Sequence, residues 1–88
     1  MNEITLGQAR SLAMDALNKL AERQGVGHIT IIDESIVETE TAWYFPYDAR
    51  DFLLHGDVSS ALTGNLPVKV SRDGTTISYE APEDFGHE

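Results

Sequence analysis

HITIIDESIVETETAWYFPY, residues 28–47, holds two β-rich runs around a polar turn. Residues 28–38 are rich in β-branched side chains, which fit a pleated, half-buried surface and predict a strand. Ile29 and Ile31 fall on one face, Thr30 and Ile32 on the other. Asp33-Glu34 interrupts this alternation before Ile36-Val37 resumes it, so a bulge or bend is expected there. Glu38-Thr39-Glu40-Thr41 supplies the polar turn. Residues 42–47 then predict a second strand, with Trp43, Phe45 and Tyr47 on one face and Tyr44 on the other. Pro46 has no N–H for a ladder and belongs at a strand end or an open edge.

The sequence before this stretch reads as a helix over about residues 6–24. Thr5 and Gln8 have the spacing of a capping box. Ala9, Leu12, Ala13, Ala16, Leu17 and Leu20 recur at helical spacing, while Arg10, Asp15, Asn18, Lys19, Glu22 and Arg23 take most of the remaining surface. Gly25 and Gly27 supply the stop. Beyond the stretch, residues 48–65 do not alternate and form a connection longer than a hairpin loop, with helical turns expected around 48–54 and 59–62. Residues 66–71 predict a third strand, Arg72-Asp73-Gly74 a hairpin turn, and residues 75–80 a fourth strand. The expected fold is α+β: an N-terminal helix on a four-stranded antiparallel meander, with a long connection between the second and third strands. Its expected core is Leu12, Leu17, Leu20, Ile31, Trp43, Phe45, Val68, Val70 and Ile77. At 88 residues the chain is read as a single domain, 1–88, with a core over about 5–80 and a polar tail at 81–88.

Charge narrows the function. Fifteen acids against six bases give a net charge of −9, which disfavours a nucleic-acid partner and suits attraction to basic ones. The charge is also uneven. Residues 28–57 carry seven acids (Asp33, Glu34, Glu38, Glu40, Asp48, Asp51 and Asp57) opposed only by Arg50. The usual origin of such a run is a solvated surface. With no Cys there is no disulfide framework, thiol nucleophile or Cys-based metal site. The N-terminus does not read as a signal peptide, and no stretch approaches the ~18 apolar residues of a membrane span. The expected location is the cytoplasm.

A search for catalytic chemistry yields no candidates. His28, His55 and His87 lie far apart with no ligand spacing, so no metal is expected. No serine sits in a nucleophile elbow, and no glycines form a phosphate-binding loop. Carboxylate pairs such as Glu38/Glu40 would need a sugar-binding cleft to act as a glycosidase. A chain that buries only about 60–65% of its unfolded surface has little room for one. No cofactor and no enzymatic activity are expected. The clustered aromatics are read first as core; Tyr44, on the opposite face and expected beside acidic side chains, is a candidate contact for a protein partner.

Several short motifs occur in a telling order: Ala42-Trp43-Tyr44-Phe45; Asp51-Phe52-Leu53; Gly56-Asp57; Ala61-Leu62; Gly64-Asn65-x-Pro67-x-x-Val70; and Asp73-Gly74. Their order and spacing resemble the immunity protein 35 family, also described as the YrhB-type domain, over about residues 9–80. Ala42 and Leu66 stand where that family usually has Gly. The resemblance implies a bacterial immunity protein encoded beside a secreted polymorphic toxin, which binds the toxin domain in the cytoplasm and blocks it. Its motifs read mainly as scaffold, so no catalytic residue is carried over. On this reading a basic toxin domain would meet Glu38, Glu40, Asp48, Asp51 and Asp57, with Tyr44 or Tyr47 as aromatic anchor. The alternative is a chaperone-like or regulatory protein-binding module of the same fold.

Overall fold

Helix α1 forms where the apolar periodicity places it, over Leu6–Gln24. Its first turn is closed by a reciprocal capping box. The Gln8 amide donates to Thr5 Oγ1 at 3.1 Å, and the Thr5 amide donates to Gln8 Oε1 at 2.8 Å. Gly25 ends the helix in the left-handed region at φ 67°, where its amide reaches the carbonyls of Ala21 and Glu22. The fully buried stripe of α1 is Ala9, Ala13 and Leu17. Two alanines on that stripe let the helix backbone come close to the strands below. The computed structural model describes residues 3–56 and 66–82.

The two runs of the 28–47 stretch each divide. The first gives strand β1 (Ile29–Ile31), a 3₁₀ turn (Asp33–Ser35) and strand β2 (Val37–Glu38). The expected bend is this turn. It is tied to α1 by Arg10, whose Nε and Nη2 donate to the two carboxylate oxygens of Asp33 at 2.7 and 2.9 Å. The second run breaks at Pro46 into β3 (Ala42–Phe45) and β4 (Tyr47–Ala49). Pro46 offers no N–H, but its carbonyl accepts from Ile32 at 2.9 Å. Here the chain leaves one sheet for another: β4 pairs antiparallel with β1, and β3 pairs with β2. Helix α2 (Arg50–His55) follows at once and accounts for the helical turn expected at 48–54. The turn expected at 59–62 lies outside the described residues.

Strands β5 (Val68–Ser71) and β6 (Ile77–Tyr79) complete the larger sheet in the order β2-β3-β5-β6, all antiparallel. The meander is therefore kept, with the β1–β4 ribbon added beside it. Between β5 and β6, Gly74 takes φ 77°. The Asp73 carboxylate accepts from the Thr75 amide at 3.0 Å and from the Ser71 hydroxyl at 2.8 Å.

Register sorts the side chains. Trp43 and Phe45 lie opposite Val70 and Val68 and form one buried cluster with Ala9, Ala13, Leu17, Ile29, Ile31 and Tyr47. Leu12, Leu20 and Tyr79 pack on it partly buried. Ile77, expected in the core, is 40% exposed. The reason is positional: α1 lies over β1, β3 and β5, and among the described residues Ile77 stands on the outermost strand with a neighbouring strand on one side only.

Candidate partner-binding surface

The seven residues singled out from the sequence fall in three places. Glu38 ends β2, and Glu40 is exposed in the turn to β3. Thr39 shapes that turn: its hydroxyl accepts from the Ala42 amide at 3.1 Å and donates to the Ala42 carbonyl at 3.0 Å. Asp48 lies at the far end of the β3–β4 run, half-buried on β4, where its carboxylate accepts from the Ala49 amide at 2.7 Å. Asp51 is in the first turn of α2. Asp57 lies outside the described residues. Glu40 and Asp48 are eight residues apart, so at about 3.3 Å per residue the two acidic ends stand at most about 26 Å apart. A standard interface of roughly 800 Å² per partner is about 30 Å across, wide enough to cover both.

Glu38 is not an isolated charge. Arg72 Nη2 donates to its carboxylate at 2.8 Å, while the guanidinium lies 4.4 Å from the Trp43 ring centre. Sequence reasoning missed this arrangement. It depends on the antiparallel register, which sets Trp43 opposite both Glu38 and Val70, and on Arg72 following two residues after Val70. Asp33 is likewise matched, and the Arg10 guanidinium holds its carboxyl below the ordinary carboxylate range. Of the acids between residues 33 and 48, Glu34 and Glu40 are exposed and make no ion pair among the described residues.

The aromatic candidates differ from the expected picture. Tyr44 does face away from α1, but it is only 6% exposed and its cross-strand neighbours are Val37 and Lys69, not acids. The Lys69 ammonium sits 5.8 Å from the ring centre, within cation–π range, and is paired to Glu80 at 3.4 Å. The β5 register decides this by placing a lysine directly opposite Tyr44. Tyr47 belongs to the core cluster at 8% exposure, with its ring edge-on to Tyr79 at 6.4 Å. Burial, and then the neighbouring Tyr79 hydroxyl, push its phenol upward from the ordinary range. Both tyrosines line one small apolar cleft of about 80 Å³ with Val37, Pro46, Pro67 and Pro82. The surface there is a proline-rimmed cleft, with the tyrosine rings forming its walls.

Ala42, at a position where the family resemblance has Gly, is fully buried and does not take positive φ, so the backbone accepts a side chain there. Among the described residues no three His, Asp or Glu side chains converge in a way that holds a metal ion, and no helix is long and apolar enough to cross a membrane. No curated protein and no solved structure matches the chain. The family model for immunity protein 35 matches residues 8–87, from the first turn of α1 past the end of β6 and so through every sheet described above, and the chain belongs to the immunity protein 35 family.

Proposed function

We propose that the protein neutralises a cognate bacterial toxin domain in the cytoplasm by binding it, without catalysis, and that the acidic ends of the β2–β4 run face a basic toxin surface. Membership of the immunity protein family carries this reading. The charge distribution supports the acidic face: the chain has a net charge of −9, and Glu40 stands exposed at a turn tip beside Glu38. Exposed charges of this kind act mainly on encounter, raising the association rate toward ~10⁸ M⁻¹s⁻¹ at low salt. The buried walls of the Tyr44–Tyr47 cleft offer a shaped recess for an inserted side chain, the kind of central contact on which affinity concentrates.

The test is co-expression with the product of the adjacent gene, taken as the candidate toxin. The wild-type chain protects the host and binds the toxin domain in a stoichiometric complex. Glu40→Lys with Asp48→Lys and Asp51→Lys slows association and flattens its salt dependence, and folding is checked by circular dichroism. Glu38 is left intact because its reversal would set a lysine against Arg72. A folded variant that associates at the wild-type rate with the same salt dependence removes the acidic-face proposal while leaving the immunity reading standing. Failure of the wild-type chain to bind or protect removes the immunity reading and favours a general chaperone-like module.

A further inference from the structure

The opposite side of the molecule carries a second feature, independent of the acidic face. β6 is the outer strand of its sheet. The Ser71 amide donates to the Thr76 carbonyl and the Glu80 amide to the Pro67 carbonyl, so residues 76, 78 and 80 direct their backbone groups to β5. By antiparallel alternation the N–H and C=O groups of Ile77 and Tyr79 point outward to an edge that no strand among the described residues covers. Such an edge is a ready template for another strand. Beside it runs a groove of about 360 Å³, with Leu12, Ala16, Lys19 and Arg23 of α1 on one wall and Ile77 and Tyr79 on the other. Ile77, 40% exposed, forms its apolar rim.

The charge of this groove runs against that of the chain. Three of the six bases, Arg10, Lys69 and Arg72, are held in ion pairs. Lys19 and Arg23 make none among the described residues, and both line the groove. Asp15 also lines it, one turn before Lys19. Leu12 lies beside Gly74, at the start of the β6 arm of the hairpin. The helix therefore advances along the strand, and the cationic pair stands toward the Tyr79 end. Leu12 to Arg23 rises about 16 Å, the length of about five extended residues.

We propose that this groove receives an extended, acidic segment of a partner protein, added as a strand along β6. Main-chain hydrogen bonds to Ile77 and Tyr79 hold it, an apolar side chain covers Leu12 and Ile77, and a carboxylate sits between Lys19 and Arg23. This is recognition by strand addition, with side-chain positions on one face setting the choice of sequence. Charge complementarity selects this occupant over a second copy, because Ile77-Ser78-Tyr79 of another β6 carries no carboxylate to meet the cations. The other candidate occupant, the chain's own acidic end at residues 83–88, is told apart from a partner segment by truncation after Pro82.

The probe is a fluorescein-labelled Thr-Glu-Thr-Val-Thr-Glu-Thr peptide, whose Glu and Val side chains share one face in either strand direction, compared with its Lys-for-Glu counterpart, at physiological salt. Anisotropy should show binding of the Glu peptide alone. Lys19→Glu with Arg23→Glu, still folded by circular dichroism, should weaken it by about tenfold or more. The acidic-end variant of the previous section should bind it undiminished. By amide exchange, the Ile77 and Tyr79 amides should gain protection on binding while the Ser78 amide, already bonded to β5, changes little. The proposal is overturned by equal binding of the two peptides, by no binding of either, by full retention in the charge-reversed variant, or by unchanged Ile77 and Tyr79 exchange. Protection of those amides without peptide also overturns it. Loss of that protection on truncation after Pro82 assigns the groove to the chain's own end, and growth of it with protein concentration assigns it to a second copy.

Discussion

Leu17→Ala tests the docking of α1 directly. The fully buried stripe of the helix is Ala9, Ala13 and Leu17, so Leu17 is its one large apolar side chain. Truncating a fully buried Leu costs about 2–5 kcal/mol, the transfer loss plus the cavity left behind. Total stability at roughly 0.05–0.15 kcal/mol per residue comes to about 4–13 kcal/mol for a chain of this length. The substitution therefore removes a large share of what holds the fold, with a fall in Tm of about 10–30 °C. Ile77→Ala is the matched control. It removes the same kind of side chain from a residue that is 40% exposed, and should cost about 1 kcal/mol or less. Urea unfolding followed by the fluorescence of Trp43, the only Trp, reads both variants. The urea dependence of the unfolding free energy should keep its slope, so that midpoints compare directly. A Leu17→Ala loss below about 1 kcal/mol, or an Ile77→Ala loss of equal size, would refute the placement of α1 over β1, β3 and β5.

Other substitutions isolate single local causes. Gly25→Ala puts a side chain at φ 67° with nothing near its Cβ, so the backbone penalty of about 1–2 kcal/mol is all that thermal melting should show. Gly27→Ala, with open space and no positive φ, should leave stability unchanged or raise it by up to about 1 kcal/mol. Arg10→Met removes the guanidinium that holds Asp33 down, so the Asp33 carboxyl, followed by NMR, should titrate at higher pH. The sign for stability follows. The contribution of this depressed carboxyl is present above the unfolded carboxylate pKa and is lost as pH falls through the lower folded value, and Arg10→Met should flatten that acid limb. Arg72→Ala uncovers the indole and should red-shift Trp43 emission, whereas Arg72→Met keeps an aliphatic stem over the ring and should shift it less.

Helix α1 was legible to the residue because its signals are local: the cap pair, the apolar period and the stop glycine all lie within the segment they control. The meander was legible for a related reason, since each strand carried its own alternation and the Asp73-Gly74 turn its own geometry. The split of residues 28–47 between two sheets was only half visible. Asp33-Glu34 announced a break and Pro46 a strand end, but their alignment across the sheets depends on the Ile32–Pro46 hydrogen bond and on the Arg10–Asp33 pair, which joins residues 23 apart in sequence. The same limit explains Tyr44 and Ile77. Alternation gave the face of each correctly, but burial depends on which strand lies next door: Lys69 and the prolines line the surroundings of Tyr44, and among the described residues no strand flanks Ile77 on its outer side. Lys19 and Arg23 read as an ordinary solvated face until β6 supplied the second wall of their groove.

The two proposed surfaces should respond oppositely to salt, because attraction acts over different distances at each. A basic toxin approaching the acidic ends of the β2–β4 run is drawn by the net charge of −9 from beyond contact, and screening weakens that pull steadily as the Debye length shortens to about 8–10 Å. An acidic segment approaching the β6 groove meets the same net charge as repulsion and gains only within reach of Lys19 and Arg23. Added salt therefore relieves the long-range penalty before it weakens the close contact, so association at the groove should rise or hold level over the range where association at the acidic ends falls. Exposed ion pairs contribute little to stability on their own. Their consequence here is spatial: by occupying Arg10, Lys69 and Arg72, the three pairs leave the free cations of α1 facing β6 and the free carboxylates of Glu34 and Glu40 on the other part of the surface. On this partition, the two proposed sites would select partners of opposite charge.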